Sequence, residues 1–229
     1  MCLLLVAWRT SAEFPLVVAA NRDEFHARPS AQAGFWDEHP GILAGRDLEC
    51  MGSWLGVTRG GRFAAVTNYR GGRDANAKES RGALVMRFLL SDSNPKTFMG
   101  KAEKTKSGYS GFNLLVADHD ELWWLSNRDS SPRRLDPGIY GLGNFLLDTP
   151  EVAESKAQFA HSIDPVPSIE PLFTVLAAAK IVASDYGTRC STVLLRQGSG
   201  RMRFAERSFD AAGGERETAH YELTTSQIA

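Results

Sequence analysis

The sequence has almost no net charge and few cysteines, and it contains no long apolar run. Its 229 residues hold 26 Lys and Arg against 27 Asp and Glu, a formal net charge of −1. Because a generic binder of nucleic acid needs a basic excess, that class of protein is excluded. The cysteines are three, an odd number, which also excludes a disulfide-stapled scaffold.

The longest apolar runs are Leu3–Trp8 and Leu16–Ala20, far short of the ~20 residues that a membrane-spanning helix needs. No basic segment precedes the first run, as one would in a secretory signal peptide. The sequence therefore predicts a cytoplasmic protein with reduced thiols and no transmembrane segment. The five histidines show no metal-ligand spacing, and HExxH and CxxC motifs are absent, so no metal site is predicted.

Short strands separated by turns are predicted for most of the chain. Apolar runs of strand length with polar or glycine-rich turns predict hairpins over 3–20, 53–68, 112–126 and 191–209, with further strands at 139–143 and near Tyr221. Capping residues and helical spacing predict helices over 80–90, from 95, over 149–161 and over 168–184. The segment 211–217 is predicted to be a loop. This order favours two sheets between helical layers in one domain, residues 1–229.

Cys2 is the first candidate for chemistry because it follows the initiator Met1. If Met1 is removed, Cys2 carries both a thiol and an α-amine. The unperturbed pKa of that amine is about 7.7–8.0, which suits a general base at neutral pH. A nucleophile served by its own amine needs no histidine. The alternative is a small buried cysteine in the first strand.

A polar cluster is the second candidate, since four polar residues directly follow the predicted strand Leu16–Ala20. They are Asn21, Arg22, Asp23 and Glu24, and His26 adjoins them. In a hairpin the end of the second strand returns beside the start of the first. Asp23 or its neighbours are therefore expected near Cys2, where a carboxylate can orient the amine. An ordinary turn is the alternative.

An arginine-rich loop is the third candidate, and it contains Asn68, Tyr69, Arg70 and Arg73. Its glycines let a ligand approach the backbone, and its arginines suit carboxylates or phosphates. The loop predicts recognition of a small anionic ligand, with an ordinary solvated loop as the alternative. Two further polar residues, Asn144 and Arg189, lie at strand ends. Each can line a site or satisfy buried backbone groups.

An ordered set of motifs carries a family resemblance across nearly the whole chain. The motifs are MCLLL at the start, AANRDEFHARP from Ala19, SWLGV from Ser53, AVTNYR from Ala65, SRG from Ser80, GFNLL from Gly111, GLGNFLLDTP from Gly141 and STVLL from Ser191. With these motifs the chain resembles the NRDE-motif family, also called the transport and Golgi organization family. That family is similar to N-terminal-nucleophile hydrolases. The resemblance implies an α+β fold, an αββα four-layer sandwich.

The resemblance also implies roles for particular residues. Cys2 matches the nucleophile, Asp23 the residue that holds its amine, and Asn68 an oxyanion contributor. Asn144 and Arg189 match the other polar positions of choloylglycine-hydrolase-like sites. Those hydrolases carry an arginine three residues before the aspartate, where this chain has Ala20. Arg22 must then supply the charge from a different position.

Two classes of function follow from the resemblance. The first is an acyl-transfer hydrolase that cleaves an amide or thioester through Cys2 and requires no cofactor. The second is an intracellular carrier of haem or acyl-CoA, because family members are associated with haem mobilisation and lipid metabolism. In the second case haem is carried cargo. The arginine-rich region Asn68–Arg87, which includes Arg81, suits haem propionates and CoA phosphates equally well.

Overall fold

The computed structural model describes residues 2–71, 74 and 77–225. Within them the chain forms thirteen strands and four α-helices. The strands are β1 Leu3–Trp8, β2 Leu16–Phe25, β3 Ser30–Trp36, β4 His39–Asp47, β5 Leu55–Thr58, β6 Phe63–Asn68, β7 Phe112–Ala117, β8 Leu122–Ser126, β9 Arg133–Leu135, β10 Gly138–Leu142, β11 Tyr186–Arg196, β12 Arg201–Phe209 and β13 Glu215–Thr224. The helices are α1 Gly82–Leu90, α2 Pro95–Thr105, α3 Ala153–Ser162 and α4 Ile169–Ala178.

The strands form two antiparallel sheets. The six-stranded sheet has the order β10-β1-β2-β11-β12-β13, and the seven-stranded sheet runs from β3 to β9 in sequence order. Strand β2 therefore lies between β1 and β11. The register pairs Leu3 with Asn21 across β1 and β2, and Cys190 with Arg22 across β2 and β11. This register places the polar cluster on an inner strand of the six-stranded sheet rather than on an edge strand.

Three apolar cores hold four layers together. One core lies between the two sheets and includes Leu4, Val18 and Trp124. A second lies between the seven-stranded sheet and α1 and α2, and a third between the six-stranded sheet and α3 and α4. Strands covered on both faces are apolar on both faces, which explains the unbroken run Leu3–Trp8. The αββα sandwich expected from the sequence is confirmed.

Several elements differ from the sequence-based prediction, including β9, which was not predicted. Strand β2 continues through the polar cluster to Phe25, because β1 and β11 flank it and satisfy its backbone groups. Strands β3 and β4 lie in a segment for which no strand was predicted. The segment 211–217 is not wholly a loop, since β13 begins at Glu215. Helix α4 ends at Ala178, well before position 184.

Candidate active site

Cys2 lies at the start of β1, half-buried, and its thiol is directed at β2. The Sγ atom donates a hydrogen bond to the backbone oxygen of Asp23 at 3.5 Å. Continuing the register of β1 and β2 by one residue places Cys2 opposite Arg22. The expected approach of Cys2 to Asp23 is thus present in the fold.

A small cavity of about 80 Å³ opens between the two sheets at this point. It is lined by Cys2, Arg22, Asp23, Glu24, Arg28, Asp47, Ser53, Trp54, Val66, Asn68, Ser80, Arg81 and Gly82. A narrower, mostly apolar recess extends from it between the sheets and shares Cys2, Arg22 and Trp54. We call the two together the Cys2 pocket. It brings five of the sequence-predicted residues together, namely Cys2, Arg22, Asp23, Glu24 and Asn68, and a sixth, Asn21, lines the recess.

Burial raises the pKa of the Cys2 thiol, and the nearby Asp23 carboxylate raises it further. The hydrogen bond to the Asp23 backbone and the charge of Arg22 act in the opposite direction but are weaker. The thiol is therefore protonated at neutral pH, and nucleophilic attack requires a base that accepts its proton.

The Asp23 side chain is buried and held by β11. Its Oδ1 atom accepts a hydrogen bond from Thr188 Oγ1 at 2.6 Å, and its backbone oxygen accepts one from the Tyr186 hydroxyl at 3.1 Å. Thr188 also accepts a hydrogen bond from the Ile181 N–H at 2.9 Å. Sequence inspection missed Thr188, because only the pairing of β2 with β11 brings it to Asp23.

Arg22 is buried in the layer between the sheets, with 7% of its surface exposed. Its guanidinium stacks on the Trp54 ring at 4.3 Å and donates to Ser30 Oγ at 3.5 Å. Among the described residues, no carboxylate oxygen lies within ion-pair distance of it. Arg22 therefore supplies a positive charge beside the Cys2 thiol, with Glu206 as a carboxylate neighbour beyond ion-pair distance.

Asn68 ends β6 and faces both the Cys2 pocket and a larger outer groove. Its backbone oxygen accepts a hydrogen bond from Asn144 Nδ2 at 2.7 Å. The backbone oxygen of Asn144 in turn accepts a hydrogen bond from the backbone N–H of Arg70 at 2.7 Å. Within the described part of the chain, the Asn68 side-chain amide has no hydrogen-bond partner. Asn144 thus fixes the backbone at Asn68, whose amide remains able to donate to a ligand.

The outer groove has a volume of about 600 Å³. Two edge-to-face aromatic pairs line it, Phe25 with Tyr186 at 5.3 Å and Tyr69 with Phe145 at 6.1 Å. Arg70 lies above Phe145 and also lines the groove. Tyr69 and Arg70 are therefore placed in this groove rather than in the Cys2 pocket, and Glu24 lines both. The predicted binding residue Arg73 lies outside the described residues.

Three other predicted site residues have their side chains engaged elsewhere. Asn21 donates to Leu176 O in α4 at 2.8 Å and accepts from Ser191. A ring nitrogen of His26 lies 3.0 Å from Ala183 O. Arg189 donates to the backbone oxygens of Phe25, His26 and Arg28. These contacts hold the framework around the site, and Arg189 lies at a second cavity, on the far side of Arg22 from Cys2.

Two arginines of the Cys2 pocket were not predicted as site residues. Arg28 pairs with Asp47 at 2.7 Å, and that carboxylate, together with Glu24 and Glu49, raises the pKa of Arg28. Arg81 donates to Gly111 O at 3.2 Å and lines both the Cys2 pocket and the outer groove. Arg28 follows the polar cluster in sequence, and Arg81 lies in the arginine-rich region Asn68–Arg87 without having been singled out.

Across 2–71, 74 and 77–225, none of the helices combines the length and apolar character that a bilayer crossing requires. In the same ranges, no group of three or more His, Cys, Asp and Glu side chains is arranged to hold a metal ion.

Comparison with known proteins gives a family match over most of the chain. The model of the family described as Transport and Golgi organisation 2 matches residues 1–184. The Transport and Golgi organization 2 homolog of Mus musculus is 33% identical, covering 92% of this chain and 93% of its own. The homologue of Bos taurus is 34% identical, covering 85% and 87% respectively.

Two solved structures share the fold. The mutant C2A of the conjugated bile acid hydrolase from Clostridium perfringens superposes with a TM-score of 0.55 at 8% identity, covering all of both chains. The N-acylethanolamine-hydrolyzing acid amidase ortholog of Caenorhabditis elegans gives 0.51 at 13% identity, covering 85% of this chain and 92% of its own. At such identities the likeness shows the N-terminal-nucleophile-hydrolase-like fold.

Proposed function

The chain belongs to the Transport and Golgi organisation 2 family, and on that premise we propose that it is an N-terminal-nucleophile-type hydrolase that cleaves an amide or thioester through Cys2. The observation that supports this proposal most directly is the meeting of Cys2, Asp23 and Asn68 at one pocket. The two solved neighbours are named as an amidase and a hydrolase, which favours hydrolysis over other acyl transfers.

The first step is attack of the Cys2 sulfur on the carbonyl carbon of the substrate. Once Met1 has been removed, the α-amine of Cys2 accepts the thiol proton as the new S–C bond forms. The buried Asp23 carboxylate orients that amine and stabilises its charged form. Because the thiol pKa is raised by burial and by Asp23, such a base is needed for attack at neutral pH.

The second step is breakdown of the tetrahedral intermediate. The Asn68 side-chain amide donates to its oxyanion, as preorganised donors do in acyl transfer. The ammonium returns its proton to the leaving amine or thiol as the C–N or C–S bond breaks, leaving a thioester on Cys2. Water then attacks the thioester, and the products are a carboxylic acid and the regenerated thiol.

The test combines intact mass with turnover of acyl p-nitroanilides and acyl thioesters. We expect active protein to lack Met1 and Cys2→Ala to lower turnover by about a thousandfold or more. The matched control is Cys50→Ser, which removes an exposed thiol, keeps an acceptor for the Arg28 guanidinium and should leave turnover unchanged. Active protein that retains Met1 contradicts the mechanism, as does a Cys2→Ala variant with full turnover.

A second candidate is binding without turnover, favoured by the raised pKa of the Cys2 thiol and by the size of the outer groove. In this case the chain carries haem or acyl-CoA, with aromatic side chains against the apolar part and Arg70 near the anionic part. Titration with haemin and with palmitoyl-CoA should then give saturable binding that survives Cys2→Ala and weakens in Arg70→Ala. Absence of saturable binding of both ligands removes this candidate.

A further inference from the structure

A second cavity, of about 240 Å³, adjoins the Cys2 pocket between the sheets. The two share Arg22 and Trp54, whose stacked side chains form the partition between them. The other polar side chains at the second cavity include Ser30, Gln32 and Glu206. Of the site residues predicted from the sequence, two line this cavity, Arg22 and Arg189.

The partition lies in a row of residues across the six-stranded sheet. Arg22 pairs with Cys190 on β11, and the register of β1 places Cys2 on its other side. The Arg22 charge acts on the Cys2 thiol, and its side chain lines both cavities. A ligand that contacts Cys2 therefore meets Arg22 one strand away.

Arg22 carries a charge that no ion pair among the described residues neutralises. Its side chain is more than nine-tenths buried, and within that part of the chain its one hydrogen bond is the 3.5 Å contact with Ser30 Oγ. Glu206 attracts it electrostatically from beyond ion-pair distance. A buried charge without a partner is costly, and an anionic ligand removes that cost. Stacking on Trp54 covers one face of the guanidinium and leaves its edge for the planar, two-oxygen geometry of a carboxylate.

The remaining charged groups of the cavity do not take this role. Arg189 is bound to three backbone oxygens, and Arg216 and Glu217 are exposed at the cavity mouth. Glu206 accepts hydrogen bonds from the Ala33 N–H at 2.6 Å and from Thr192 Oγ1 at 3.1 Å. Burial raises the pKa of Glu206, and these hydrogen bonds and the charge of Arg22 act against that shift but are weaker.

We propose that Arg22, at the wall shared by the two cavities, forms a carboxylate subsite: its guanidinium binds a small carboxylate group of the ligand while a neighbouring atom of that ligand faces the Cys2 thiol. The assignment rests on the proposed function for the role of Cys2 as the reacting atom. It places the anionic part of the ligand inside the sandwich, away from the arginine-rich loop at the surface.

Alkylation of Cys2 tests the subsite, because iodoacetate carries a carboxylate beside its reactive carbon and iodoacetamide is its neutral analogue. The ratio of the two rates at Cys2, followed by peptide mass, is divided by the same ratio for N-acetylcysteine. In the wild type we expect iodoacetate to be favoured by about tenfold or more, as a charge-assisted hydrogen bond allows. Arg22→Gln should bring the normalised ratio to about one, and Arg22→Lys should keep part of the preference.

The matched control is Arg201→Gln, which removes an exposed arginine paired with Glu222 at the other end of β12. It should leave the normalised ratio unchanged. A wild-type ratio near one, or a preference that persists in Arg22→Gln, overturns the subsite while leaving Cys2 as a reactive thiol. Cys2 that reacts with neither reagent counts against the proposed nucleophile.

A second measurement decides the subsite without using Cys2 reactivity. Succinate should raise the melting temperature of the wild-type chain in a saturable manner, and its neutral analogue succinamide should not. Arg22→Gln should abolish the succinate shift, whereas Arg201→Gln should retain it. Equal shifts with both compounds, or no shift with succinate, overturn the proposal.

Discussion

Two buried arginines lie in the layer between the sheets, one at each end of the sandwich, and each is close to a tryptophan. Arg196 donates to the backbone oxygens of Gly61 and Asp118 at 2.9 and 2.8 Å and lies 5.5 Å from the Trp8 ring. Arg22 stacks on Trp54 but is bound to no backbone oxygen in the described chain. The first closes one end of the layer, and the second lies between two cavities.

The difference shows that burial alone does not distinguish a structural charge from a functional one. Burial lowers the pKa of the Arg196 guanidinium, to about 10, yet its hydrogen bonds fasten a loop of each of two hairpins. Arg22 has the same chemistry with its hydrogen-bonding capacity largely unused. What a buried guanidinium contacts, and what space adjoins it, decides which role it has.

The largest effect on stability is expected at the end of the sandwich that contains Arg196. Arg196→Met should lower the free energy of unfolding by about 3 kcal/mol, because two buried backbone oxygens lose their donor. Urea unfolding measures this, with Arg201→Met as an exposed control expected to change stability by less than about 0.5 kcal/mol. A loss below about 1 kcal/mol for Arg196→Met would contradict the structural assignment.

The end of the sandwich that contains Arg22 also has a structural contact, between Thr188 and Asp23, and Thr188→Val probes it. The change removes the donor to Asp23 Oδ1 and the acceptor of the Ile181 N–H, so we expect a loss of about 2 kcal/mol in unfolding free energy. Thr174→Val, on the exposed face of α4, is the matched control. Equal stabilities of the two variants would show that Asp23 does not depend on Thr188.

Arg22→Met is expected to change the free energy of unfolding by less than about 1 kcal/mol. Its removal costs packing against Trp54 but also relieves a buried charge that has no ion-pair partner in the described residues. The measurement is the same urea titration as for Arg196→Met. A loss as large as that of Arg196→Met would end the distinction between the two ends.

The pH dependence of Cys2 alkylation gives the smallest effect and the finest comparison. The thiolate is the reacting form, and burial and the Asp23 charge both raise the pKa of the Cys2 thiol. The rate of Cys2 alkylation by iodoacetamide should therefore reach half its maximum at a higher pH than the rate for N-acetylcysteine. Asp23→Asn should move this midpoint to lower pH and raise the rate at pH 8. A midpoint that stays in place would exclude an effect of the Asp23 charge on the thiol.

Local patterns predicted the fold where elements have strong signals. The apolar strands β1 and β2, the Asn94–Pro95 start of α2 and the helix after Ser80 all follow from short-range rules, and Asn94 indeed caps α2 through Thr97. Strands β3 and β4 were missed because they are only partly buried and contain Pro40 and several glycines. Their pairing comes from long-range contacts that no local window contains.

The site was partly predictable for a related reason. Cys2 and Asp23 could be brought together from hairpin geometry alone, and the family resemblance indicated Asn68. Thr188 reaches the site through a distant element, so its sequence neighbourhood carries no signal of it, and Arg81 was one of several arginines in the region Asn68–Arg87. Arg189 donates to three backbone oxygens, whereas Arg22 donates to none in the described chain, and this difference is set by three-dimensional packing.

The placement of the polar cluster on β2 has a consequence for how the site can respond to a ligand. Strand β2 has ladder hydrogen bonds to β1 and β11 on both sides, so moving its backbone would break two ladders at once. Backbone amides at positions 19–23 should therefore exchange with deuterium only during global unfolding, whether or not ligand is present. We therefore expect a ligand to bind to a β2 backbone that does not move, and any conformational change on binding to occur in the surrounding loops.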